Sequence, residues 1–206
     1  MASIHKLKEE EREDQTPSLH GRAMDNLEFI RDAMERSTEF TAVPGYGGVL
    51  MGATAIGASV IASIQPTYRT WLLTWLVEAV LAFSIGLLMM WQKSKLVETS
   101  LNSTPAKKFA LGFTPPLVAG IILTGLLYFN ELFRFMPTVW LTLYGTAVVS
   151  GGAYSVRAVP VLGWLFIALG TVSIVLPAVY GDWLMGIGFG GLHIIFGLII
   201  ARKYGG

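Results

Sequence analysis

The stretch TWLLTWLVEAVLAFSIGLLMMW, Thr70–Trp91, decides the fold. A helix of this length, rising 1.5 Å per residue, covers the roughly 30 Å of hydrocarbon in a bilayer. One carboxylate, Glu78, lies near the middle of the run. An ionised side chain at that depth is costly unless a partner receives it. Glu78 is therefore the first candidate for a functional or structural site.

The composition assigns the chain to the membrane proteins. Its 206 residues are 53% hydrophobic and only 14% charged, whereas about a quarter of the residues in soluble domains are charged. Ten of the fourteen acidic residues precede Thr41. We therefore expect three regions: a disordered polar tail over residues 1–24, an amphipathic helix at the cytoplasmic interface over 25–42, and a transmembrane domain over 43–206.

Six apolar runs in that domain are long enough to cross a bilayer. The predicted spans are Gly45–Ile64, Thr70–Trp91, Phe113–Phe129, Thr138–Val156, Pro160–Tyr180 and Trp183–Ala201. The last two are separated only by Gly181 and Asp182, which predicts a tight antiparallel hairpin. The fold class is thus an all-α polytopic membrane bundle of six transmembrane helices arranged as three hairpins.

The basic residues near the span ends predict the orientation, because loops rich in lysine and arginine stay cytoplasmic. Nine of these residues fall on one side and two on the other. Both termini are therefore expected in the cytoplasm. The larger set is Arg31, Arg36, Lys93, Lys95, Lys107, Lys108, Arg157, Arg202 and Lys203, and the smaller set is Arg69 and Arg134.

An internal repeat is indicated by small residues at equal spacing. Gly52, Ser59 and Pro66 are seven residues apart, as are Gly163, Gly170 and Pro177. Seven-residue steps place small side chains on one helix face, where a neighbouring helix can approach closely. The glycine-rich run GIGFGG, Gly186–Gly191, is interpreted in the same way, since it lies inside a span rather than after a strand as a nucleotide-binding fingerprint requires.

The run GWLFIALGTVSIVLPAVYGDWLMGIGFGGLHIIFGLIIAR, Gly163–Arg202, resembles the hairpin unit of HdeD-like bacterial membrane proteins, and Gly52–Trp71 resembles it more weakly. The N-terminal stretch MDNLEFIRDAMERSTEFTAVPGYGG is similar to the opening of uncharacterised bacterial integral membrane proteins. The HdeD-like resemblance implies six helices in a bacterial inner membrane and a role in acid or stress resistance. It implies no catalytic residue.

Two ionisable side chains are candidates for a site inside the bundle. Glu78 lies about 12 Å along its span and His193 about 15 Å along a span of the same direction, from residue counts at 1.5 Å each. If these spans adjoin, Glu78 and His193 form either a proton relay or a structural polar pair. Tyr144 and Tyr154 are candidates for further polar groups in the interior. Lys93, Lys95, Lys107 and Lys108 either contact lipid headgroups or only fix the topology.

The sequence contains no pattern that predicts an enzyme. It has no cysteine, no paired nucleophile and base, and no metal-ligand spacing, so neither a cofactor nor a metal is predicted. The net charge of +1 does not favour nucleic acid. We expect a non-catalytic membrane module whose partners are the lipid bilayer and either further copies of itself or a larger membrane complex. The alternative is a proton-linked carrier or channel that uses Glu78 and His193.

Overall fold

The computed structural model describes residues 19–37, 39–96, 98 and 100–205. The regular elements are α1 Leu19–Ser37, α2 Gly45–Ser63, α3 Tyr68–Leu96, α4 Thr104–Phe129, α5 Met136–Gly152, α6 Ala158–Val175, α7 Gly181–Met185, a π-helical segment Gly186–Leu192, and α8 His193–Tyr204. Single turns of 3-10 helix at Phe133–Phe135 and Ala178–Tyr180 precede α5 and α7. The described residues form no β-strand, so the all-α prediction is confirmed.

Five helical segments are long and apolar enough to cross a membrane: α2, α3, α4, α6 and the continuous last span Ala178–Tyr204. The remaining predicted span corresponds to α5, which has 17 residues. The observed bounds agree well with the predictions at α2, which begins at Gly45 in both. The length and apolar composition of these five segments are consistent with a membrane protein.

Helix α4 begins earlier than predicted. Ser103 N-caps it and Pro105 lies in its first turn, where the missing N–H needs no partner. The helix then continues through Pro115 and Pro116, which lie near the start of the predicted span Phe113–Phe129. The connection between the second and third predicted spans is therefore shorter than their bounds imply, because α3 ends at Leu96 and α4 begins at Thr104.

The N-terminal helix also differs from the prediction. Residues 1–18 lie outside the described residues, while residues 19–24, predicted as part of the tail, belong to α1. Leu27, Ile30 and Met34 are exposed along one face of α1, as their spacing predicts. The helix ends at Ser37, five residues before the predicted limit.

Residues 39–44 form an extended segment on the membrane domain, which we call the strap. The Phe40 backbone N–H donates to the Tyr154 carbonyl at 2.8 Å, and the Ser155 hydroxyl donates to the Phe40 carbonyl at 2.7 Å. The Phe40 ring is fully buried and packs on Phe109 of α4. The strap therefore joins the start of α2 to α4 and to the turn between α5 and α6.

The helices pack as two groups of three. In one group, α2 contacts both α3 and the last span; in the other, α5 contacts both α4 and α6. The predicted third hairpin is therefore not a tight pair. Its two helices contact each other, but α6 packs more extensively on α5, and the last span packs more extensively on α2.

Glycines bring the backbones of these partner helices together. A Cβ added at Gly145 would lie 2.7 Å from the Gly163 carbonyl oxygen, and a Cβ at Gly52 would lie 2.6 Å from the Gly190 carbonyl oxygen. Gly163 and Gly52 are the matched first positions of the internal repeat. Each of them contacts a glycine of its partner helix, so the repeated spacing corresponds to repeated close packing.

We predict that Gly52→Ala destabilises the bundle by about 1–3 kcal/mol, because the new methyl group meets backbone atoms that cannot rotate away. Gly57→Ala in the same helix is the matched control, since a Cβ there has nothing within 4 Å. Thermal unfolding in mild detergent measures the difference. Equal unfolding temperatures of the two variants would contradict the close packing of Gly52 against the last span.

Candidate functional site

Glu78 is buried at the interface of α3 and α2. Only 7% of its surface is exposed, and its Oε1 atom lies 2.9 Å from the Thr54 hydroxyl oxygen. Thr54 Oγ1 also lies 2.8 Å from the Met51 carbonyl oxygen, one turn back along α2. The intramembrane carboxyl group identified from the sequence thus has a partner on the neighbouring helix.

The two contacts of Thr54 constrain the protonation of Glu78. A hydroxyl group has one proton and cannot donate to Met51 and Glu78 together. Both hydrogen bonds form at once if Glu78 is the neutral acid, donates to Thr54 Oγ1, and Thr54 donates to Met51. This arrangement also avoids an ionised carboxylate in hydrocarbon. The geometry therefore favours a neutral Glu78 that links α3 to α2.

His193 has a different partner. It is 7% exposed, and its Nε2 atom lies 2.7 Å from the Tyr144 hydroxyl oxygen of α5. The rings of Phe166 and Phe189 surround this pair, with centroids 4.8 and 5.1 Å from that of Tyr144. Tyr144 thus belongs to the interior, as predicted, and links the two groups of helices by contacting the last span.

The predicted pair of Glu78 and His193 does not form. The residue counts predict similar depths for the two side chains, but α2 packs against both α3 and the last span, and Glu78 faces Thr54 of α2. Residue counting gives depth but not the rotation of a helix about its axis. Each side chain therefore has its own partner.

The π-helical segment Gly186–Leu192 immediately precedes His193. In such a segment the hydrogen bonds run to the fifth residue instead of the fourth, which changes the direction of the following side chains. The buried Nδ1 atom of His193 makes no acceptable hydrogen bond, although the carbonyl groups of Gly188 and Phe189 face the ring. His193 is thus held on one side by Tyr144, while its Nδ1 atom lies beside backbone carbonyl groups without a hydrogen bond of good geometry.

Asp182 forms polar contacts that were not predicted from the sequence. Its Oδ1 atom accepts hydrogen bonds from the indole N–H groups of Trp71, at 2.7 Å, and Trp75, at 3.0 Å. Its backbone carbonyl accepts from the Ser59 hydroxyl at 2.7 Å. Asp182 therefore connects the start of the last span to α2 and α3. The four-residue spacing of Trp71 and Trp75 could have predicted this contact. It places both indole N–H groups on one face of a helix, and buried indoles need an acceptor.

Lys93 was predicted to contact lipid headgroups or to fix the topology, but the structure buries it inside the protein. It is 2% exposed, and its Nζ atom donates to the Val43 carbonyl of the strap, at 2.9 Å, and to the Gly205 carbonyl. Gly205 follows the last residue of α8, where carbonyl groups carry the negative end of the helix dipole. Lys93 therefore clamps the strap and the end of α8 to α3 instead of reaching the lipid.

The other predicted lysines, Lys95, Lys107 and Lys108, are exposed. Tyr154 is a further correction: it is 43% exposed and lies in the turn after α5, where the Lys108 ammonium is 5.5 Å from its ring centroid. Tyr154 is thus a group of the bundle end and not of its interior. Among the described residues, no three His, Asp or Glu side chains come together as metal ligands.

We predict that Lys93→Met destabilises the domain by about 1–3 kcal/mol, because the carbonyl groups of Val43 and Gly205 lose the donor that joins them to α3. Lys95→Met is the matched control, since Lys95 lies two residues away on the same helix and is exposed. Limited proteolysis of the purified proteins at the strap provides the readout. Cleavage within residues 39–44 should accelerate in the first variant only, and equal rates in the two variants would contradict the clamp.

We predict that Asp182→Asn is tolerated, because the amide oxygen can still accept from both indoles. Asp182→Leu should cost about 1–3 kcal/mol, since two buried N–H donors are left unpaired. Tryptophan fluorescence during thermal unfolding reports both stability and the environment of Trp71 and Trp75. If the two variants behave alike, the carboxylate oxygen is not what holds the indoles.

No protein-family model, curated protein or solved structure matches this chain. The polar contacts and the exposed surfaces are therefore the basis for a functional conclusion. The resemblance of Gly163–Arg202 to HdeD-like proteins stays a prediction.

Proposed function

We propose that this chain is a non-catalytic module of a bacterial inner membrane that assembles with itself or with a larger membrane complex. The observation that best supports this proposal is that the ionisable side chains buried in the described part of the bundle connect neighbouring elements. Glu78 contacts Thr54, His193 contacts Tyr144, and Lys93 contacts the strap and the residue after α8. Groups held in this way stabilise an arrangement of helices, and that is the role we assign to them.

The proposal includes six spans. Helix α5, with 17 residues, extends about 26 Å at 1.5 Å per residue, which is at the lower limit for a crossing helix. It lies between α4 and α6 and contacts both. A short span in this position returns the chain to the starting side, so an even number of spans places both termini together.

Charge supports a cytoplasmic location of the termini. Contacts of Phe40 with Phe109, of Lys93 with Val43 and Gly205, and of Lys108 with Tyr154 bring one set of helix ends together. We call this the lysine end, and its exposed basic residues are Lys95, Lys107, Lys108, Arg157, Arg202 and Lys203. The opposite end, where Trp71 stacks on Trp140, has two exposed basic residues, Arg69 and Arg134. The positive-inside rule then directs the lysine end to the cytoplasm.

The surfaces available for assembly are the outer faces of α3 and α4 and the apolar face of α1. Only 17% of the most apolar part of α3, and 6% of that of α4, is buried inside the chain. In the bilayer these faces contact either lipid or another protein. Helix α1 adds Leu27, Ile30 and Met34 on one face, which suits the membrane interface or a partner helix.

A proton-linked carrier is the second candidate, and the observation that favours it is a buried His193 directly after the π-helical segment, with an Nδ1 atom that makes no hydrogen bond of good geometry. Interrupted helices and buried ionisable residues are typical of transport sites. Glu78 and His193 do not contact each other, so a carrier would have to move protons through two separate polar pairs. A role in stress tolerance, implied by the HdeD-like resemblance, is compatible with either function.

The test is native mass spectrometry of the tagged protein purified from its native membrane in mild detergent, beside Glu78→Gln. We expect stoichiometric partner subunits or a homo-oligomer, unchanged in the variant, because the Gln amide can donate to Thr54 as the neutral acid does. The stability cost of this substitution should be below about 1 kcal/mol. Glu78→Ala, which leaves a cavity, is the contrasting variant and should cost about 2–4 kcal/mol.

A wild-type protein that is recovered only as a monomer would contradict the assembly function. Both proteins would then be reconstituted in liposomes for proton-flux measurements. Proton flux in the wild type that is lost in Glu78→Gln would establish the carrier instead. Equal and negligible flux in both would exclude it.

A further inference from the structure

The lysine end has an uneven distribution of charge that the assembly function does not use. It carries six exposed basic side chains, and the exposed acidic residues of the membrane domain there are Glu39 and Glu98. The opposite end has two exposed basic side chains, Arg69 and Arg134, against the exposed Glu131 and the half-buried Asp182. A net positive surface at the level where spans end is complementary to phosphate groups of anionic lipids.

Two lysines at this end are paired with exposed aromatic rings. The Lys95 ammonium lies 3.5 Å from the ring centroid of Trp91, and the Lys108 ammonium lies 5.5 Å from that of Tyr154. Such contacts hold a flexible side chain in place while its charge stays accessible. Trp and Tyr prefer the headgroup level of a bilayer, so each ring also fixes the depth of its lysine.

The two lysine–aromatic pairs belong to neighbouring parts of the bundle. Met90 of α3 and Phe109 of α4 both pack on the small cluster of Phe40, Ala42 and Ala106. The end of α3, which carries Lys95, and the start of α4, which carries Lys107 and Lys108, are thus joined through the strap. Lys93 is buried at that junction and donates to two backbone carbonyl groups, so its charge is not available to a lipid.

We propose that Lys95, Lys107 and Lys108, with Trp91 and Tyr154, form a binding site for the headgroup phosphate of an anionic lipid. The ammonium groups of the lysines neutralise the phosphate, and the rings set the depth at which it binds. The acyl chains extend from there along the exposed apolar surfaces of α3 and α4. This site is additional to the assembly proposed above and requires only that the chain is embedded in a bilayer.

The experiment is a lipid titration followed by native mass spectrometry. Delipidated wild-type protein in an uncharged detergent receives either phosphatidylglycerol or phosphatidylcholine with the same acyl chains. The lysine variant is Lys107→Gln with Lys108→Gln. The matched control is Arg69→Gln with Arg134→Gln, which removes the same charge from exposed side chains at the opposite end.

We expect the wild type and the control to retain phosphatidylglycerol in preference to phosphatidylcholine, and the lysine variant to bind it about tenfold or more weakly, given the loss of two surface charges. Equal retention of the two lipids by the wild type, or equal loss in both variants, would overturn the site. Displacement of the lipid by millimolar inorganic phosphate would also overturn the assignment to a lipid, because a free anion would then suffice.

A second readout separates binding from misfolding. Thermal unfolding is measured without lipid and with phosphatidylglycerol. Bound lipid should raise the unfolding temperature of the wild type and the control but not of the lysine variant. All three proteins should unfold at the same temperature without lipid, since the substituted side chains are exposed. The readout differs from the number of protein subunits, so failure of this site and failure of the assembly are distinguishable.

Discussion

A bilayer interior offers no hydrogen-bonding partner, and this constraint governs where the polar groups of this protein lie. Each intramembrane polar side chain has to find its partner on another helix or on the backbone. Glu78 finds Thr54, and His193 finds Tyr144. These contacts are few, but each joins two different helices: Glu78 joins α3 to α2, and His193 joins the last span to α5. They therefore select one arrangement of apolar helices that would otherwise pack in several similar ways.

The polar contacts depend in turn on the close approach of the backbones. A threonine hydroxyl is short, so Thr54 reaches Glu78 only because α2 lies close beside α3. The same helix contacts the last span through Gly52 and Gly190, and Ser59 of α2 donates to the Asp182 backbone. Helix α2 is thus the common neighbour of the two helices that carry Glu78 and His193. This explains why those two side chains, for which the residue counts predict similar depths, have separate partners.

The sequence predicts apolar elements better than it predicts their contacts. Hydrocarbon thickness determines the length of a span, so Gly45–Ser63 could be predicted almost to the residue. The partner of Glu78 could not, because it depends on helix rotation, which a uniformly apolar helix does not encode. Lys93 shows a second limit: a lysine near a span end is the usual topology signal, and only the fold shows that the strap covers it. Asp182 was missed because its partners come from a helix more than 100 residues away.

The contrast between side chains that are already hydrogen-bonded inside the bundle and those that are not limits which groups can take part in a function. Side chains already engaged in the interior cannot bind a partner without weakening the fold, since an unpaired buried group costs about 1–3 kcal/mol. The groups outside these contacts are the exposed cations of the lysine end, the apolar faces of α3 and α4, and the buried Nδ1 atom of His193. The first two face the bilayer and its surface, and only the third lies inside the bundle. Two of these three features therefore suit the proposed interaction with lipids and other membrane proteins better than the alternative of transport through the bundle.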